Sequence, residues 1–323
     1  MATSIVLPVA KAKVVEVGDG TPAFLASDRV VKNYLRCSPL SHALFRACEI
    51  DQLQTIRLER PVLDLGCGAG QLAQHGLEGN IDFGLDISAK QLAGARRLGR
   101  YEQLIEADAA EMPLDSGCMQ SVLAFSSLEH MRRPEKIMAE VMRVLRPGGT
   151  LVATITLADL RQHLFWPALT RRFRLGWLGR LYVSLQDRAF AHRTMFPREE
   201  WERMANKAGL EIVVSRRILP AAVIRRWDAL LPLALPYWLL RPLGIPTVFP
   251  WPGRSAMARW AMGGAKHGLP ESGPPPLPPR PSHARGEGED PPCPPFVRGG
   301  QDGIRVVTRM GTKCTALTRY CST

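Results

Sequence analysis

An acid and three glycines lie close together in the stretch VLDLGCGAG, residues 62–70. Asp64 stands in a run that is typical of a buried strand, and Gly66, Gly68 and Gly70 follow at alternate positions. A dinucleotide-binding turn has the spacing GxGxxG instead and carries its acid about 20 residues later. Because a carboxylate next to a pyrophosphate is repelled, Asp64 predicts a ligand that is positively charged, or at least not polyanionic, at this point. Glycines would let the backbone approach that ligand, and a tight turn without a ligand is the alternative.

Two further acids are expected where strands end. Asp86 in FGLDIS can accept hydrogen bonds from both hydroxyls of a ribose. Asp108 in EADAAEMPL can accept one from an exocyclic amine such as that of adenine. Both positions are also common helix caps. S-adenosylmethionine, which has a sulfonium, an ammonium and no phosphate, fits this set of acids.

The stretch FSSLEHM, residues 125–131, supplies the candidate for proton transfer. Residues just past the carboxyl end of a parallel strand line the ligand crevice, and an imidazole is suited to remove a proton at neutral pH. His130 is therefore the predicted general base. The alternatives are a histidine that only packs or caps there, and a reaction that needs no base.

These side chains need a framework that brings strand ends together. Strand candidates are 61–65, 81–85, 103–107, 121–125 and 150–156, with helical patterns between them at 70–77, 88–98 and 134–146. This alternation predicts a parallel sheet with helices on both faces. Ser88 with Gln91 predicts a capped helix start, and LRPGG, 145–149, predicts a turn into the fifth strand. Upstream, residues 28–56 predict two helices divided by Pro39.

Together these motifs resemble the class I S-adenosylmethionine-dependent methyltransferases, in particular the group typified by the ubiquinone and menaquinone biosynthesis methyltransferases. DLGCGAG, LDIS, EADAAEMPL and LRPGG match the motifs of that family, and HRTMFPREEWERMANKAGLEIV, 192–213, is similar to its late helix and strand. The resemblance covers a little under half of the 323 residues. It implies an α/β, Rossmann-like, doubly wound and mostly parallel seven-stranded sheet, whose sixth strand is placed at 210–215.

The resemblance also implies which residues hold the cofactor. The first motif would surround the methionine moiety, Asp86 the ribose, and Asp108 with Ala109 the adenine. The full set of implied contacts is Asp64, Gly66, Cys67, Gly68, Gly70, Asp86, Ile87, Asp108, Ala109 and Ser126. Some related enzymes bind a metal through an ExxEH pattern. Here Ser126 replaces the first acid, although Glu129 and His130 remain, so no metal is expected.

Charge and hydropathy bear on the methyl acceptor. The net charge is +12, and residues 159–193 hold seven arginines and two aspartates among Leu, Phe, Trp and Tyr. This composition favours an interfacial helix on anionic lipid, with a lid over an anionic small molecule and a solvated helix face as alternatives. Residues 229–252 contain one charge, Arg241, and six prolines. They favour a re-entrant or interfacial segment over a spanning helix, with core beneath the insert as the alternative.

The chain is expected to divide into six segments. They are an N-terminal helical lead-in (1–56), a cofactor-binding core (57–156), a basic aromatic insert (157–196), a return to the core (197–217), an apolar membrane-proximal or lid segment (218–268) and a proline-rich disordered tail (269–323). Seven cysteines without CxxC spacing and the lack of a secretory signal predict a cytoplasmic protein. Peripheral contact with the inner face of the membrane is expected through 157–193 and 229–252.

The predicted function is methyl transfer to the oxygen or carbon of a small-molecule or lipid-linked acceptor. Nucleic acid is not expected as a partner, because no RNA-binding module is visible and most of the basic excess is mixed with apolar residues. Two alternatives from other classes remain. One is a nicotinamide-dependent oxidoreductase, and the other is a non-catalytic membrane-associated module that keeps the fold.

Overall fold

The structure is a computed structural model, which describes residues 22–51, 53–54, 56–190, 192–215 and 218–234. The strands of these residues are β1 (Ala23–Phe24), β2 (Val62–Leu65), β3 (Leu77–Glu78), β4 (Ile81–Asp86), β5 (Tyr101–Glu106), β6 (Met119–Phe125) and β7 (Leu145–Thr154). Their helices are α1 (Ser27–Cys37), α2 (Leu40–Asp51), α3 (Gln71–His75), α4 (Ala89–Leu98), α5 (Pro134–Val144), α6 (Phe165–Arg172), α7 (Gly176–Ala189), α8 (Arg198–Lys207) and α9 (Ala221–Leu230). Short 3-10 helices span Leu128–His130, Ala158–His163 and Leu231–Ala234.

Five strands form one parallel sheet in the order β5-β4-β2-β6-β7. In its centre is β2, where Asp64 lies between Gly84 of β4 and Leu123 of β6. The chain first forms β2, β4 and β5 on one side of the sheet and then crosses back to form β6 and β7 on the other. The strand order therefore reverses between β2 and β6. Ligands of open α/β sheets bind outside the carboxyl ends of the strands at such a point. The predicted Rossmann-like fold class is confirmed.

Helices cover both faces of the sheet. Successive residues of a strand point to opposite faces. Accordingly, Val62 and Leu123 are buried in one cluster with residues of α1, α2 and α9. Leu63 and Val122 are buried in a second cluster with residues of α5 and α8. Burial on both faces explains why the central strands are continuous apolar runs rather than alternating ones.

The predicted elements of the core are confirmed, with shifts at their ends. Helices α1 and α2 flank Pro39 as expected, and the Ser88 hydroxyl caps α4 by accepting from the N–H of Gln91. The largest difference is that β7 begins at Leu145 instead of residue 150. Leu145 already pairs with Met119, the next ladder pair is Thr150 with Ser121, and the Pro-Gly-Gly turn between them bulges out of the sheet.

The strand predicted at 210–215 is wrong, because these residues form no strand. Their backbone follows α8 instead of the edge of the sheet. The N–H of Leu210 bonds to the carbonyl of Ala205, and the Arg198 guanidinium donates to the carbonyl of Ser215 at 3.0 Å. These bonds turn the segment back onto α8, and no ladder pair joins residues 210–215 to β7. The main sheet therefore has five strands in the described part of the chain instead of the predicted seven.

The insert is fastened to α9 by one buried carboxylate, that of Asp228. Its oxygens accept from the backbone N–H of Trp166 on α6 at 3.0 Å, and from Tyr182 and Gln186 on α7. Its backbone carbonyl accepts from the Trp166 indole at 3.0 Å. Because Asp228 lies on α9, which packs in the core, it sets the position of α6 and α7 relative to the sheet.

Much of the predicted apolar segment 229–252 lies outside the described residues, as do the tail and residues 1–21. Its described residues, 229–234, pack on the core through Leu230 and Leu231. In the part of the chain that the structure describes, every helix is too short or too polar to cross a membrane. The segment boundaries given above stay predictions.

Asp228→Ala is expected to loosen the insert. The change leaves three donors of α6 and α7, the Trp166 N–H, the Tyr182 hydroxyl and the Gln186 amide, without their acceptor, which costs about 2–4 kcal/mol of unfolding free energy. Urea unfolding measures the loss, and limited proteolysis should cut first within the insert. Asp115→Ala, at an exposed site, is the control and is expected to change stability by less than about 0.5 kcal/mol. Equal stability of the two variants would contradict the anchoring role.

Candidate functional site

The chain makes a tight left-handed turn directly after β2. Gly66, Gly68 and Gly70 have φ values of +76°, +54° and +76°. Residues other than glycine rarely adopt this region of backbone conformation. The N–H groups of Gly66 and Cys67 both donate to the carbonyl of Leu85, at 2.7 and 3.1 Å. The glycine spacing predicted from the sequence is thus a real backbone requirement.

The backbone of Gly68 is open to an approaching ligand. A Cβ added there would meet nothing within 4 Å, whereas one added at Gly66 would lie 2.7 Å from Ser127 and Met131. The N–H of Gly68 donates to Asp86 Oδ2 at 2.9 Å. The turn is therefore closed towards the loop after β6 and open at its tip.

Asp64 is buried in this turn's strand, with 2% of its surface exposed. Burial is the main reason that its pKa rises from 3.8 to about 6, and the nearby charge of Asp86 adds to the rise. The Tyr101 hydroxyl donates to Asp64 Oδ2 at 2.6 Å, which acts in the opposite direction. The Tyr101 ring can cross β4 because Gly84 has no side chain, since a Cβ there would lie 2.8 Å from that ring.

Asp86 ends β4 beside the turn, as the sequence predicts. Its two carboxylate oxygens each accept a backbone hydrogen bond at 2.9 Å, from Gly68 and Ser88. These donors fix the carboxylate at the crevice. The next residue, Ile87, is 69% exposed and presents an apolar side chain at the same edge.

Asp108 follows β5 at the neighbouring strand end. Its Oδ1 accepts from the N–H of Ala110 at 2.8 Å, and its Oδ2 accepts from the Arg133 guanidinium at 2.7 Å. The backbone donor first, and Arg133 second, hold the pKa of Asp108 below its usual value. Ala109 is buried beneath it, as Cys67 is in the first turn.

The loop after β6 forms the other wall of the crevice. Ser126 has a φ of +46°, and its hydroxyl donates at 2.7 Å to Glu49 on α2. Glu49 is fully buried, and burial raises its pKa despite its ion pair with Arg46 at 2.8 Å. The Ser126 hydroxyl therefore faces the N-terminal helices in this structure, while the hydroxyl of Ser127 donates to the carbonyl of Leu65 at 2.8 Å.

Glu129 and His130 lie in the same loop and link it to the insert. The Glu129 carboxylate is buried and accepts from the N–H of Thr156 at 3.1 Å. The His130 ring stacks on that of His192, with ring centres 5.5 Å apart. Nowhere in the described ranges do three His, Cys, Asp or Glu side chains form a group that could hold a metal.

The structure brings most of the predicted cofactor residues to one edge of the sheet. Asp64, the three glycines, Asp86 and Ile87 lie around β2 and β4, and Asp108 lies one strand further. Sequence reasoning missed Tyr101, Glu49 and Arg133. The signal for Tyr101 was the isolated glycine in FGLDIS, which marks a close approach, and the signal for Glu49 was an acid inside the apolar run LFRACEI. Arg133 has a left-handed φ of +59° and gave no signal.

This arrangement is suited to a cationic ligand. A buried carboxylate near a second acid is costly to ionise, and a positive group beside it offsets that cost. A phosphate would meet only repulsion from Asp64 and Asp86.

Asp64→Asn is expected to stabilise the ligand-free chain above neutral pH. The folded chain holds the proton of Asp64 up to about pH 6, whereas the unfolded chain releases it near 3.8. The unfolding free energy of the wild type therefore falls as the pH rises from about 4 to about 6, by about 3 kcal/mol. An asparagine side chain removes this loss and keeps an oxygen for Tyr101.

Urea unfolding at pH 4.5 and pH 7.5 measures the difference. The Asp64→Asn variant should gain about 2–3 kcal/mol over the wild type at the higher pH and much less at the lower. Asp115→Asn, at an exposed position, is the control that should show no such gain. A stability difference that does not vary with pH would contradict the burial of an ionised Asp64.

Comparison with known proteins agrees with this geometry. The family described as "Methyltransferase domain" matches residues 63–153, from β2 to β7. An uncharacterized transposon protein of Streptomyces fradiae is 31% identical over 209 residues, 57% of this chain and 60% of that protein. A malonyl-[acyl-carrier protein] O-methyltransferase of Enterobacter lignolyticus is 33% identical over 116 residues, 34% of this chain and 45% of its own length. The methyltransferase GfsG of Streptomyces halstedii is 30% identical over 185 residues, 53% of this chain and 62% of its own length.

The chain thus spans less than two thirds of each of these relatives. The part that matches the family, residues 63–153, contains the glycine turn and the acids at the strand ends. By its domain, its relatives and its strand order, the chain resembles the class I S-adenosylmethionine-dependent methyltransferases.

Proposed function

We propose that this chain transfers a methyl group from S-adenosylmethionine to an oxygen or carbon of a small-molecule or lipid-linked acceptor, by in-line displacement. The observation that carries the proposal is the pairing of the buried Asp64 with the open backbone of Gly68 at the same strand ends. A cationic cofactor would offset the negative charge of Asp64 and would fit against the open backbone of Gly68. The O-methyltransferase among the relatives supports oxygen as the methylated atom.

The cofactor residues each have a distinct task in this proposal. When bound, S-adenosylmethionine supplies a methyl carbon that the attached sulfonium makes electrophilic. Asp64 would compensate the positive charge of the methionine moiety. Asp86 would add the ribose hydroxyls to its two backbone donors, because a carboxylate has about four acceptor sites. Asp108 would add the adenine amine to Ala110 and Arg133, and Ile87 would cover the ring.

The acceptor side is proposed to lie between the loop after β6 and the insert. His130 would remove the proton of an acceptor hydroxyl as the methyl is transferred. Its place supports this role, since it follows the carboxyl end of β6 and stacks on His192 at the end of the insert. The other residues of the loop after β6 and of the insert would orient the acceptor and exclude water.

The narrower likeness to quinone biosynthesis enzymes and the peripheral membrane contact also remain proposals. Exposed apolar side chains in the insert support the membrane contact. They are Phe173, Leu175, Trp177, Leu181 and Leu185. Arginines of the same segment, such as Arg171 and Arg172, would add attraction to anionic lipid.

Gly68→Ala is expected to weaken S-adenosylmethionine binding by at least about tenfold, because the new Cβ enters the open space at the turn. Gly117→Ala is the matched control. Gly117 also has a positive φ, of +67°, with nothing within 4 Å of an added Cβ, but it precedes β6 at the opposite edge of the sheet. Both variants should lose about 1–2 kcal/mol of stability, and only Gly68→Ala should lose affinity in calorimetry.

Calorimetry with both cofactors, together with a methyl-transfer assay, separates the alternative functions. An oxidoreductase would bind a nicotinamide dinucleotide instead of S-adenosylmethionine, and such a result would overturn the proposal. A non-catalytic module would bind S-adenosylmethionine without transferring its methyl group to any fraction of a soluble or membrane extract.

His130→Ala is expected to slow methyl transfer by about 10²-fold at neutral pH while S-adenosylmethionine affinity stays unchanged. Transfer of a labelled methyl group into extract fractions gives the rate, and calorimetry gives the affinity. The His130→Gln substitution, which keeps a polar side chain of similar reach, should be equally slow if proton removal matters. Wild-type rates in both variants would remove His130 from the mechanism.

A further inference from the structure

The insert contains an open cavity of about 590 Å³. Its floor is one face of α7, formed by Arg180, Val183, Ser184, Asp187 and Arg188. These positions follow the spacing of residues on the same side of a helix. Its walls come from Arg161 in the preceding 3-10 helix and from His192 and Arg193 just after α7.

The cavity carries an excess of positive charge. Its one acid, Asp187, is already engaged by Arg161 at 2.8 Å and by His192 at 3.4 Å. Arg180, Arg188 and Arg193 have no acidic partner within the ranges that the structure describes. Three guanidinium groups thus surround one cavity without a counter-charge from the residues that the structure describes.

This cavity lies next to the proposed methyl-transfer site. His192, which lines it, stacks on His130 with ring centres 5.5 Å apart. The N–H groups of Arg193 and Thr194 both donate to the carbonyl of Glu129 at 3.0 Å. These contacts hold the cavity wall against the loop that follows β6. The His192 side chain therefore borders both the cavity and His130.

We propose that this cavity binds an anionic group of the methyl acceptor, a carboxylate or a phosphate. The planar guanidinium group binds either anion through two parallel hydrogen bonds, so the three unpaired arginines suit such a group better than a neutral one. That the anionic group belongs to the methyl acceptor rests on the proposed function. Anion binding in the cavity can be measured without catalysis.

The experiment titrates the full chain with malonate and with inorganic phosphate at constant ionic strength. The wild type should bind at least one of them saturably, and the double variant Arg180→Gln with Arg188→Gln should bind it at least about tenfold more weakly. Arg193→Gln gives a second, single-site variant from a different wall. The control pair Arg96→Gln with Arg97→Gln loses the same charge from the last turn of α4, outside the cavity, and should bind like the wild type.

S-adenosylmethionine is titrated into every variant in parallel, and its affinity should not change. Loss of anion binding with intact S-adenosylmethionine binding assigns the cavity to the acceptor. A wild type that binds neither anion saturably, or a control pair that loses as much as the cavity pair, overturns the anion site alone. Failure of the wild type to bind S-adenosylmethionine overturns the proposed function instead.

In a further experiment, phosphatidylglycerol vesicles are added to the protein with its anion bound, and displacement of the anion is measured. Phosphatidylcholine vesicles are the neutral comparison. Competition by the charged vesicles alone identifies a lipid headgroup as the source of the anionic group. Without competition, the anionic group belongs to a soluble acceptor.

Discussion

The hydrogen bonds that meet at Glu129, in the loop after β6, are the contacts on which the rest of the site depends. The Glu129 side chain accepts from Thr156 after β7, and its backbone carbonyl accepts from Arg193 and Thr194 at the end of the insert. One residue thereby fixes three distant segments at the carboxyl edge of the sheet. The crevice and the arginine-lined cavity are neighbours because of this constraint.

The same loop also closes the other sides of the site. Ser127 ties it to the end of β2, and Ser126 ties it to the buried Glu49 of α2. The left-handed conformation of Ser126 is strained for a residue with a side chain, and its hydrogen bonds to α2 and to Thr154 hold it there. N-terminal helices, sheet and insert therefore act as one support for the loop.

Charge is divided between the two sides of this loop. Acids line the cofactor side, where burial raises the pKa of Asp64 to about 6. Arginines line the insert side, where Asp187 is already neutralised. A buried acid lowers the stability of the ligand-free chain, and unpaired cations near one another add some repulsion. Both costs fall when ligands of opposite charge bind, which is the usual relation between strain and function.

The sequence by itself determined the parallel core, the glycine turn and the acids at the strand ends, because spacing and backbone requirements such as a positive φ are local properties. It predicted a strand at 210–215 wrongly, since an apolar pattern does not show whether a segment pairs with the edge of the sheet or packs back on the preceding helix. Only the tertiary structure decided that Tyr101 reaches Asp64, that Asp228 anchors the insert and that three arginines share one cavity. These contacts join residues many positions apart, so they depend on how the elements pack and not on the pattern within any one of them.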